Sequence, residues 1–166
     1  WHLFLEHEIK SSLKLLLKKG FITAEIHDKH LSAFLALLTK HNSHIKKTPG
    51  RFLHGDISPG NFLADEKKKQ IKAVLDVDFA TVGDPAWEFA GQRYAAEELL
   101  KPYIQLCKSK NKDFNKKEFD EQEFRFRIQL YNPIKKLIIA AAWTKKDKTK
   151  ISTHLKEIDD AIAGLI

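Results

Sequence analysis

The chain has 166 residues, of which 43% are hydrophobic and 31% are charged, enough for one domain with a hydrophobic core and short for two. No apolar run approaches the roughly 20 residues that a membrane-spanning helix needs, so we expect no membrane segment. The net charge of +7 invites a nucleic-acid interpretation, but the lysines form scattered clusters without interleaved aromatic residues, so we expect a solvated surface and no nucleic-acid partner.

The first third of the chain predicts two amphipathic helices. Hydrophobic residues at helical spacing run from Leu3 to Lys19, and Gly20 ends the helix. A second helix is predicted from an N-cap at Asp28 to about His41. The helix breaker Thr48-Pro49-Gly50 and a brief extended piece, Arg51 to Leu53, follow.

The middle of the chain predicts one small β-hairpin. Phe62 to Ala64 and Ile71 to Leu75 have the composition of short strands, and the polar segment Asp65 to Gln70 between them is the predicted turn. A lone hairpin is marginally stable in water, so it must pack against the helices.

The remainder is predicted to be helical. Asp84-Pro85 marks a helix start, with Asp84 as the cap, and this helix should reach about Leu100 before Pro102 bends or ends it. Helical periodicity covers about 117 to 146, with a kink or break at Pro133, and about 152 to 165. We therefore expect a mostly α-helical α+β fold and a single domain over residues 1–166.

The cysteine content indicates the redox environment of the protein. Cys107 is the only cysteine in the sequence, which excludes an intramolecular disulfide and favours a reducing environment. The start of the chain has no secretory signal pattern. We expect a cytoplasmic protein.

The predicted hairpin brings oxygen-bearing side chains together. Asn61 directly precedes the first strand and Asp76 directly follows the second, and partners at the open end of a hairpin lie about 5 Å apart. Amide and carboxylate oxygens are ligands that suit Mg²⁺. Asp56 lies on the loop that leads into Asn61, so a third polar group faces the same region.

The spacing of these residues resembles a known catalytic arrangement. His-x-Asp-x-x-x-x-Asn followed by strand, turn, strand and Asp is typical of the protein-kinase-like fold. The particular stretches, His54 to Asn61, Ala73 to Ala80 and Gly83 to Ala90, resemble the aminoglycoside phosphotransferase and choline kinase family. The resemblance covers about residues 51 to 92 and implies the C-terminal lobe of that fold.

The resemblance also implies roles for individual residues. It implies ATP-dependent phosphoryl transfer to a hydroxyl group of a small molecule, with Asp56 orienting or deprotonating that hydroxyl. Asn61 and Asp76 would hold Mg²⁺ against the ATP phosphates, while His54 would brace the loop through hydrogen bonds. Asp78 would support the metal site or the local structure. Amino-sugar, sugar, choline-like and amino-alcohol acceptors all stay open.

The chain departs from the family pattern in two ways. Val77-Asp78-Phe79 replaces the common Trp-Glu-Phe or Trp-Glu-Tyr, which leaves the metal ligand intact. Kinases of this fold also cover ATP with an N-terminal lobe that bears a glycine-rich hairpin and a lysine, and neither precedes His54 here. Because the chain begins with Trp1 and contains no methionine, we expect a fragment whose N-terminal lobe lies upstream and which alone is inactive.

Other residues have both structural and functional interpretations. Asp84 is expected mainly to cap its helix, and Glu88 either to complement the helix dipole or to form an ion pair. Aromatic residues that belong to the core or to an acceptor pocket are Trp87, Tyr94 and Trp143. Acidic residues that either bind acceptor amines or form ordinary helix surface are Glu97, Glu98, Glu118, Asp120, Glu121 and Glu123.

Two alternatives to the kinase remain at this stage. The apolar strand that ends in Asp76-Val77-Asp78 is also used by phosphatases of the haloacid dehalogenase type, although Ala80 stands where they have Thr or Val and the downstream chain lacks their βα alternation. The other alternative is a non-catalytic protein, either a pseudokinase or a helical module that binds an anionic partner through its basic surface.

Overall fold

The structure, a computed structural model, describes residues 1–46, 48, 50–65, 67–91, 96–112, 119–142 and 148–166. These residues form seven α-helices: α1 His2–Lys18, α2 Ala24–Lys40, α3 Asn42–Lys46, α4 Ala86–Phe89, α5 Ala96–Lys112, α6 Glu121–Ala142 and α7 Lys148–Ala163. They also form four strands: β1 Arg51–Leu53, β2 Phe62–Asp65, β3 Gln70–Val74 and β4 Thr81–Gly83. The fold is mostly helical with small antiparallel sheets, as the sequence predicts.

Helix α6 is the centre of the helical packing. It packs against α1, α7 and α4, and α1 also packs against α2. The α1 residues at helical spacing face inward, and Leu5, Ile9 and Leu13 are completely buried. Tyr131 and Ile134 of α6 are completely buried against them. None of the described helices combines the length and the apolar character that crossing a bilayer requires.

The ends of the first two helices are set by local hydrogen bonds. Gly20 has φ +69° beyond the end of α1, where its N–H donates to Leu17 O (2.9 Å) and the N–H of Phe21 donates to Leu16 O (3.0 Å). The prediction that Gly20 ends this helix is therefore confirmed. The predicted N-cap at Asp28 is wrong, because the extended Thr23 caps α2 by accepting a hydrogen bond from Ile26 N (3.3 Å).

The strands form two antiparallel pairs. The predicted hairpin is confirmed as β2 paired with β3, with Phe62 opposite Val74 and an irregularity between Leu63 and Ala64. The extended segment β1 pairs with β4, which the sequence pattern did not predict. This second pair joins the segment before His54 to the segment that follows Asp78, and so closes the chain around the loop between them.

The predictions for the downstream helices need three corrections. The helix that starts near Asp84 ends at Phe89, because Ala90 is extended and Gly91 has φ +68°. Pro102 lies inside α5 and Pro133 inside α6, so neither ends its helix. Proline removes one hydrogen bond from a helix interior, and the complete burial of neighbouring α6 side chains offsets that loss at Pro133.

A buried ion pair fixes the start of α4 to α6. Asp84 is only 2% exposed, and its Oδ2 accepts hydrogen bonds from Arg127 Nε (2.7 Å) and from the Tyr131 hydroxyl (2.9 Å). Its Oδ1 accepts from Ala86 N (3.0 Å), which confirms the expected capping role. Burial and the Asp84 carboxylate together raise the pKa of Tyr131 well above its usual range. The carboxylate thus both caps α4 and anchors it.

Replacement of Arg127 tests this anchor. We expect Arg127→Met to lower the free energy of unfolding by about 3–5 kcal/mol, because it leaves the Asp84 carboxylate buried without its cation. Arg125→Met is the matched control, since Arg125 makes a partly exposed pair with Glu121 whose loss costs about 0–1 kcal/mol. Urea denaturation of both variants measures the difference, and equal losses would contradict the anchoring role.

Candidate active site

His54 is a buried brace at the start of the predicted catalytic loop. Its Nδ1 accepts the backbone N–H of Asp56 (3.3 Å), so its Nε2 carries the proton and donates it to Leu75 O (2.7 Å). The ring therefore connects the loop to the residue that follows β3. Both ring nitrogens are thus engaged in hydrogen bonds within the protein.

Gly55 is required by close contact with the second motif. Its φ is +85°, and a Cβ at this position would lie 2.2 Å from the backbone oxygen of Phe79. A side chain is thus excluded by both conformation and space. The loop and the segment after Asp78 are in direct contact at this point.

Glu88 holds the same loop from α4. Its buried carboxylate accepts hydrogen bonds from the backbone N–H groups of His54 and Gly55, the latter at 3.0 Å. The sequence predicts a dipole effect or an ion pair for Glu88 and does not predict these hydrogen bonds to the backbone. The sequence around Glu88 predicts that it lies in the first turn of a helix, but it does not predict which distant backbone groups the side chain contacts.

Asp56 and Asn61 are joined at the end of the loop. The Asn61 Nδ2 group donates to the backbone oxygen of Asp56 (2.9 Å) and to its Oδ2 (3.3 Å). A short 3-10 turn, Pro59–Asn61, sets this geometry, with Asn61 N donating to Ser58 O (3.0 Å). Asp56 itself is exposed. Its carboxylate is therefore accessible to a ligand while its backbone is held.

Asp76 lies beside Asn61 at the open end of the hairpin. The N–H of Leu75 donates to Asn61 O (2.8 Å), which extends the β2–β3 pairing up to Asp76. Asp76 is exposed and has φ +57°, a conformation that non-glycine residues rarely adopt outside functional or turn sites. The hairpin thus places the backbone of Asp76 one residue beyond the partner of Asn61.

The donor set fits Mg²⁺ but not a metal held by the protein alone. Among the described residues, no group of three or more His, Cys, Asp or Glu side chains could hold a metal ion. Mg²⁺ usually takes one or two carboxylates and completes its shell with water and substrate phosphates. Asn61 uses its Nδ2 in the bonds to Asp56, so its Oδ1 is the ligand atom that would serve beside Asp76.

A cleft of about 680 Å³ adjoins Asp56 and Asp78. Its walls come from the catalytic loop, the segment before β4, and helices α1, α4 and α6. The chemically important lining residues are Glu8, Asp56, Asp78, Trp87 and Lys135. Trp87 is 4% exposed and contacts Trp1, Phe4 and Tyr131, so it belongs to the core as well as to the wall.

Lys135 is the cation of this cleft, and sequence analysis missed it. Its Nζ donates to Gly55 O (2.8 Å) and lies 5.1 Å from the centroid of the Trp87 ring. Burial lowers the pKa of Lys135, an effect that the nearby Glu88 and Asp56 carboxylates oppose. Helical periodicity places Lys135 on α6 but gives no signal that it reaches residue 55.

The acidic residues that the sequence suggests as ligands for acceptor amines make other contacts or lie outside the cleft. Asp120 accepts from Glu123 N (2.9 Å) at the start of α6, Glu121 pairs with Lys108 (2.7 Å), and Glu123 pairs with His44 (2.9 Å). Glu98 is exposed on α5 and does not line the cleft. Predictions for Tyr94, Trp143, Glu118 and the side chain of Glu97 fall outside the described residues.

The family follows from comparison with known proteins. The sequence model of the phosphotransferase enzyme family matches residues 6–105, which include the complete loop, the hairpin and Glu88. The chain belongs to the phosphotransferase enzyme family. No curated protein sequence matches it.

Solved structures agree with this family at the level of the fold. The GDP complex of wild-type aminoglycoside 2'-phosphotransferase-IIIa matches with a TM-score of 0.57 and 17% identity, covering 98% of this chain and 52% of that one. The GDP complex of a point mutant of that enzyme matches with a TM-score of 0.56 and 17% identity, covering 95% of this chain and 51% of that one. The chain thus spans about half the length of these structures.

Family membership and topology remove one alternative. A haloacid dehalogenase phosphatase needs its Asp-x-Asp at the end of a strand in a parallel α/β sheet. In this phosphotransferase family member, the strand before Asp76 is β3, which pairs only with β2 in an antiparallel hairpin among the described strands. The phosphatase interpretation is therefore wrong.

A glycine substitution tests the loop geometry of this family member. We expect Gly55→Ala to lower the free energy of unfolding by at least about 1–3 kcal/mol, because it combines a positive φ with a clash against Phe79 O. Gly60→Ala is the matched control, since its Cβ would meet nothing closer than 4.0 Å. Denaturant unfolding of both variants provides the measurement, and an unchanged Gly55→Ala protein would contradict the described loop.

Proposed function

We propose that the protein transfers the γ-phosphoryl group of ATP to a hydroxyl group of a small molecule. The observation that carries the proposal is the position of Asp56, Asn61 and Asp76 around the open end of the β2–β3 hairpin. Hydrogen bonds connect Asn61 to Asp56 and Leu75 to Asn61, so the loop that carries Asp56 and Asn61 is bonded to the residue before Asp76. Family membership supports phosphoryl transfer as the reaction class.

Asp56 is the proposed catalytic residue. It is exposed at the wall of the cleft, where an acceptor hydroxyl could donate a hydrogen bond to its carboxylate. The carboxylate would orient the hydroxyl oxygen towards the γ-phosphorus and take its proton as the new O–P bond forms and the bond to ADP breaks. Little covalent chemistry is needed beyond this, because positioning and charge neutralisation dominate phosphoryl transfer.

Asn61 Oδ1 and the Asp76 carboxylate are the proposed Mg²⁺ ligands. A Mg²⁺ ion held by these two groups would supply positive charge that stabilises the phosphates of the nucleotide. The backbone bond between Leu75 and Asn61 supports this assignment, because it holds the residue before Asp76 against Asn61. Asp78 lies on the cleft two residues further on, where it would support the metal site or contact the acceptor.

The cleft favours an acceptor that carries an amine. Three carboxylates line it, those of Glu8, Asp56 and Asp78, whereas Lys135 is its one described cation and is bonded to Gly55. Apolar side chains of Phe4, Ile138 and Ile139 line the same cleft. We therefore propose that the acceptor is an amino-sugar or an amino-alcohol rather than a neutral sugar. The similar solved structures contain GDP, so GTP should be tested beside ATP as the donor.

The chain supplies one part of the proposed reaction. No glycine-rich hairpin precedes His54 in the sequence, and the chain covers about half of the similar structures. We propose that residues 1–166 form one domain and that nucleotide binding uses a further lobe of the family fold. Residues 1–166 alone would therefore be inactive. A cytoplasmic location remains part of this proposal.

Removal of the Asp56 carboxylate tests the catalytic role. We expect Asp56→Ala to lower kcat by about 10²–10⁴-fold in the full-length protein, with ATP, Mg²⁺ and a panel of hydroxyl acceptors. Its fold should persist, because Asp56 is exposed and its backbone bonds remain. Asp160→Ala, an exposed carboxylate on α7, is the control. Unchanged turnover in Asp56→Ala would remove the proposed mechanism.

Removal of the Asp76 charge tests the metal role. We expect Asp76→Asn to raise the Mg²⁺ concentration for half-maximal rate by about tenfold or more, because a neutral amide oxygen is a weaker ligand for Mg²⁺ than a carboxylate. Asparagine tolerates the positive φ of this position, so the backbone should be preserved. Magnesium titration at saturating ATP is the measurement, and Asp65→Asn at the far end of the hairpin should match the wild type.

The non-catalytic alternative predicts a different set of results. A pseudokinase would transfer no phosphoryl group to any acceptor, and its stability and partner binding would not depend on Asp56. A module that uses its basic surface would bind polyanions with steep salt dependence, independently of Asp56 and Mg²⁺. Turnover that Asp56→Ala abolishes excludes both.

A further inference from the structure

Lys135 reaches from the centre of α6 to the catalytic loop. Its ammonium group donates to Gly55 O (2.8 Å) and lies 5.1 Å from the Trp87 ring centroid. It also lines the cleft that Asp56 adjoins. Desolvating an ammonium group is costly, and an apolar side chain of similar length could cover Trp87 without that cost. What lysine adds at this position is the hydrogen bond to the loop and a positive charge beside it.

The peptide groups around Gly55 are held from opposite directions. The Gly55 N–H donates to Oε2 of Glu88, which lies on α4 (3.0 Å). The Gly55 C=O, which forms the peptide bond to Asp56, accepts from Lys135 on α6. Because both contacts are to charged side chains, each is stronger than a bond between neutral groups. The residue before Asp56 is thus fixed at both its donor and its acceptor.

The structure makes room for the stem of Lys135. A Cβ at Gly91 would lie 2.8 Å from Lys135 Cβ, and Gly91 has φ +68°. The N–H of Gly91 donates to Asn132 Oδ1 (2.7 Å), which ties the end of α4 to the preceding turn of α6. The close approach of these segments directs Lys135 towards the loop.

We propose that Lys135 is a positioning residue for phosphoryl transfer, which sets the orientation of Asp56 by holding the carbonyl group of Gly55. The inference rests on the proposed function, because Asp56 needs a fixed orientation only if it acts on a bound hydroxyl. Small displacements of a catalytic group cost large factors in rate. Loss of the bond should therefore lower kcat more than it changes substrate binding.

Three variants of the full-length protein test the proposal. Lys135→Met keeps the length and apolar stem but removes the donor and the charge, and Lys135→Arg keeps both. Lys136→Met is the matched control, since Lys136 is the next residue of α6 and pairs with Glu157 at the surface. The measurements are amide hydrogen exchange at Gly55 and Asp56 without substrates, and kcat and KM with them.

The expected result has a kinetic and a structural part. In Lys135→Met, exchange at the Gly55 and Asp56 amides should accelerate by at least about tenfold, the factor that corresponds to loss of a charged hydrogen bond. The kcat should fall by about tenfold or more, while KM for ATP stays within about twofold. Lys135→Arg should recover part of both effects, and Lys136→Met should show neither.

Several outcomes would overturn the proposal. Unchanged exchange in Lys135→Met would show that Lys135 does not hold the loop, whether or not the protein is active. Faster exchange with unchanged kcat would show that the contact is structural only. A wild-type protein without phosphoryl transfer would instead overturn the proposed function, and the exchange measurement would still decide whether Lys135 holds Gly55.

Discussion

The buried Glu88 carboxylate is the contact on which the geometry of the catalytic loop depends. It accepts the N–H groups of His54 and Gly55, two donors that would otherwise be buried without a partner in secondary structure. Helix α4, which carries Glu88, has only four residues and could not hold a fixed position alone. Asp84 supplies that position through its buried pair with Arg127 and its bond to Tyr131. Helix α6 therefore fixes the position of α4, and α4 in turn fixes the position of the loop.

The candidate site combines this rigid base with an exposed edge. Asp56 and Asp76 are both exposed, whereas the groups that hold their backbone, among them His54 and Glu88, are buried. Such a division suits a ligand-binding site, because the exposed carboxylates are accessible while the buried bonds keep the loop in place. The fold thus separates the residues proposed to meet a substrate from those that hold the loop.

The sequence predicted the parts of the structure that depend on local pattern. The hairpin, the backbone pairing of Asn61 with Leu75 at its open end and the end of α1 at Gly20 all follow from periodicity and turn chemistry. The contacts of Glu88 and Lys135 could not be predicted, because they join residues 33 and 80 positions apart and only the folded chain brings them together. Local rules also failed where two signals competed: Thr23 rather than Asp28 caps α2, and packing of α6 overrides Pro133.

Arg127, Tyr131 and Lys135 follow one another at intervals of four residues along α6, so they form one stripe of the helix. The stripe spans about 12 Å, and it contacts Asp84 at one end and Gly55 at the other. An inserted residue between Tyr131 and Lys135 would rotate the two ends by about 100° relative to each other. The register of a helix remote in sequence from the catalytic motif, rather than the length of any surface loop, therefore limits which insertions this fold can tolerate.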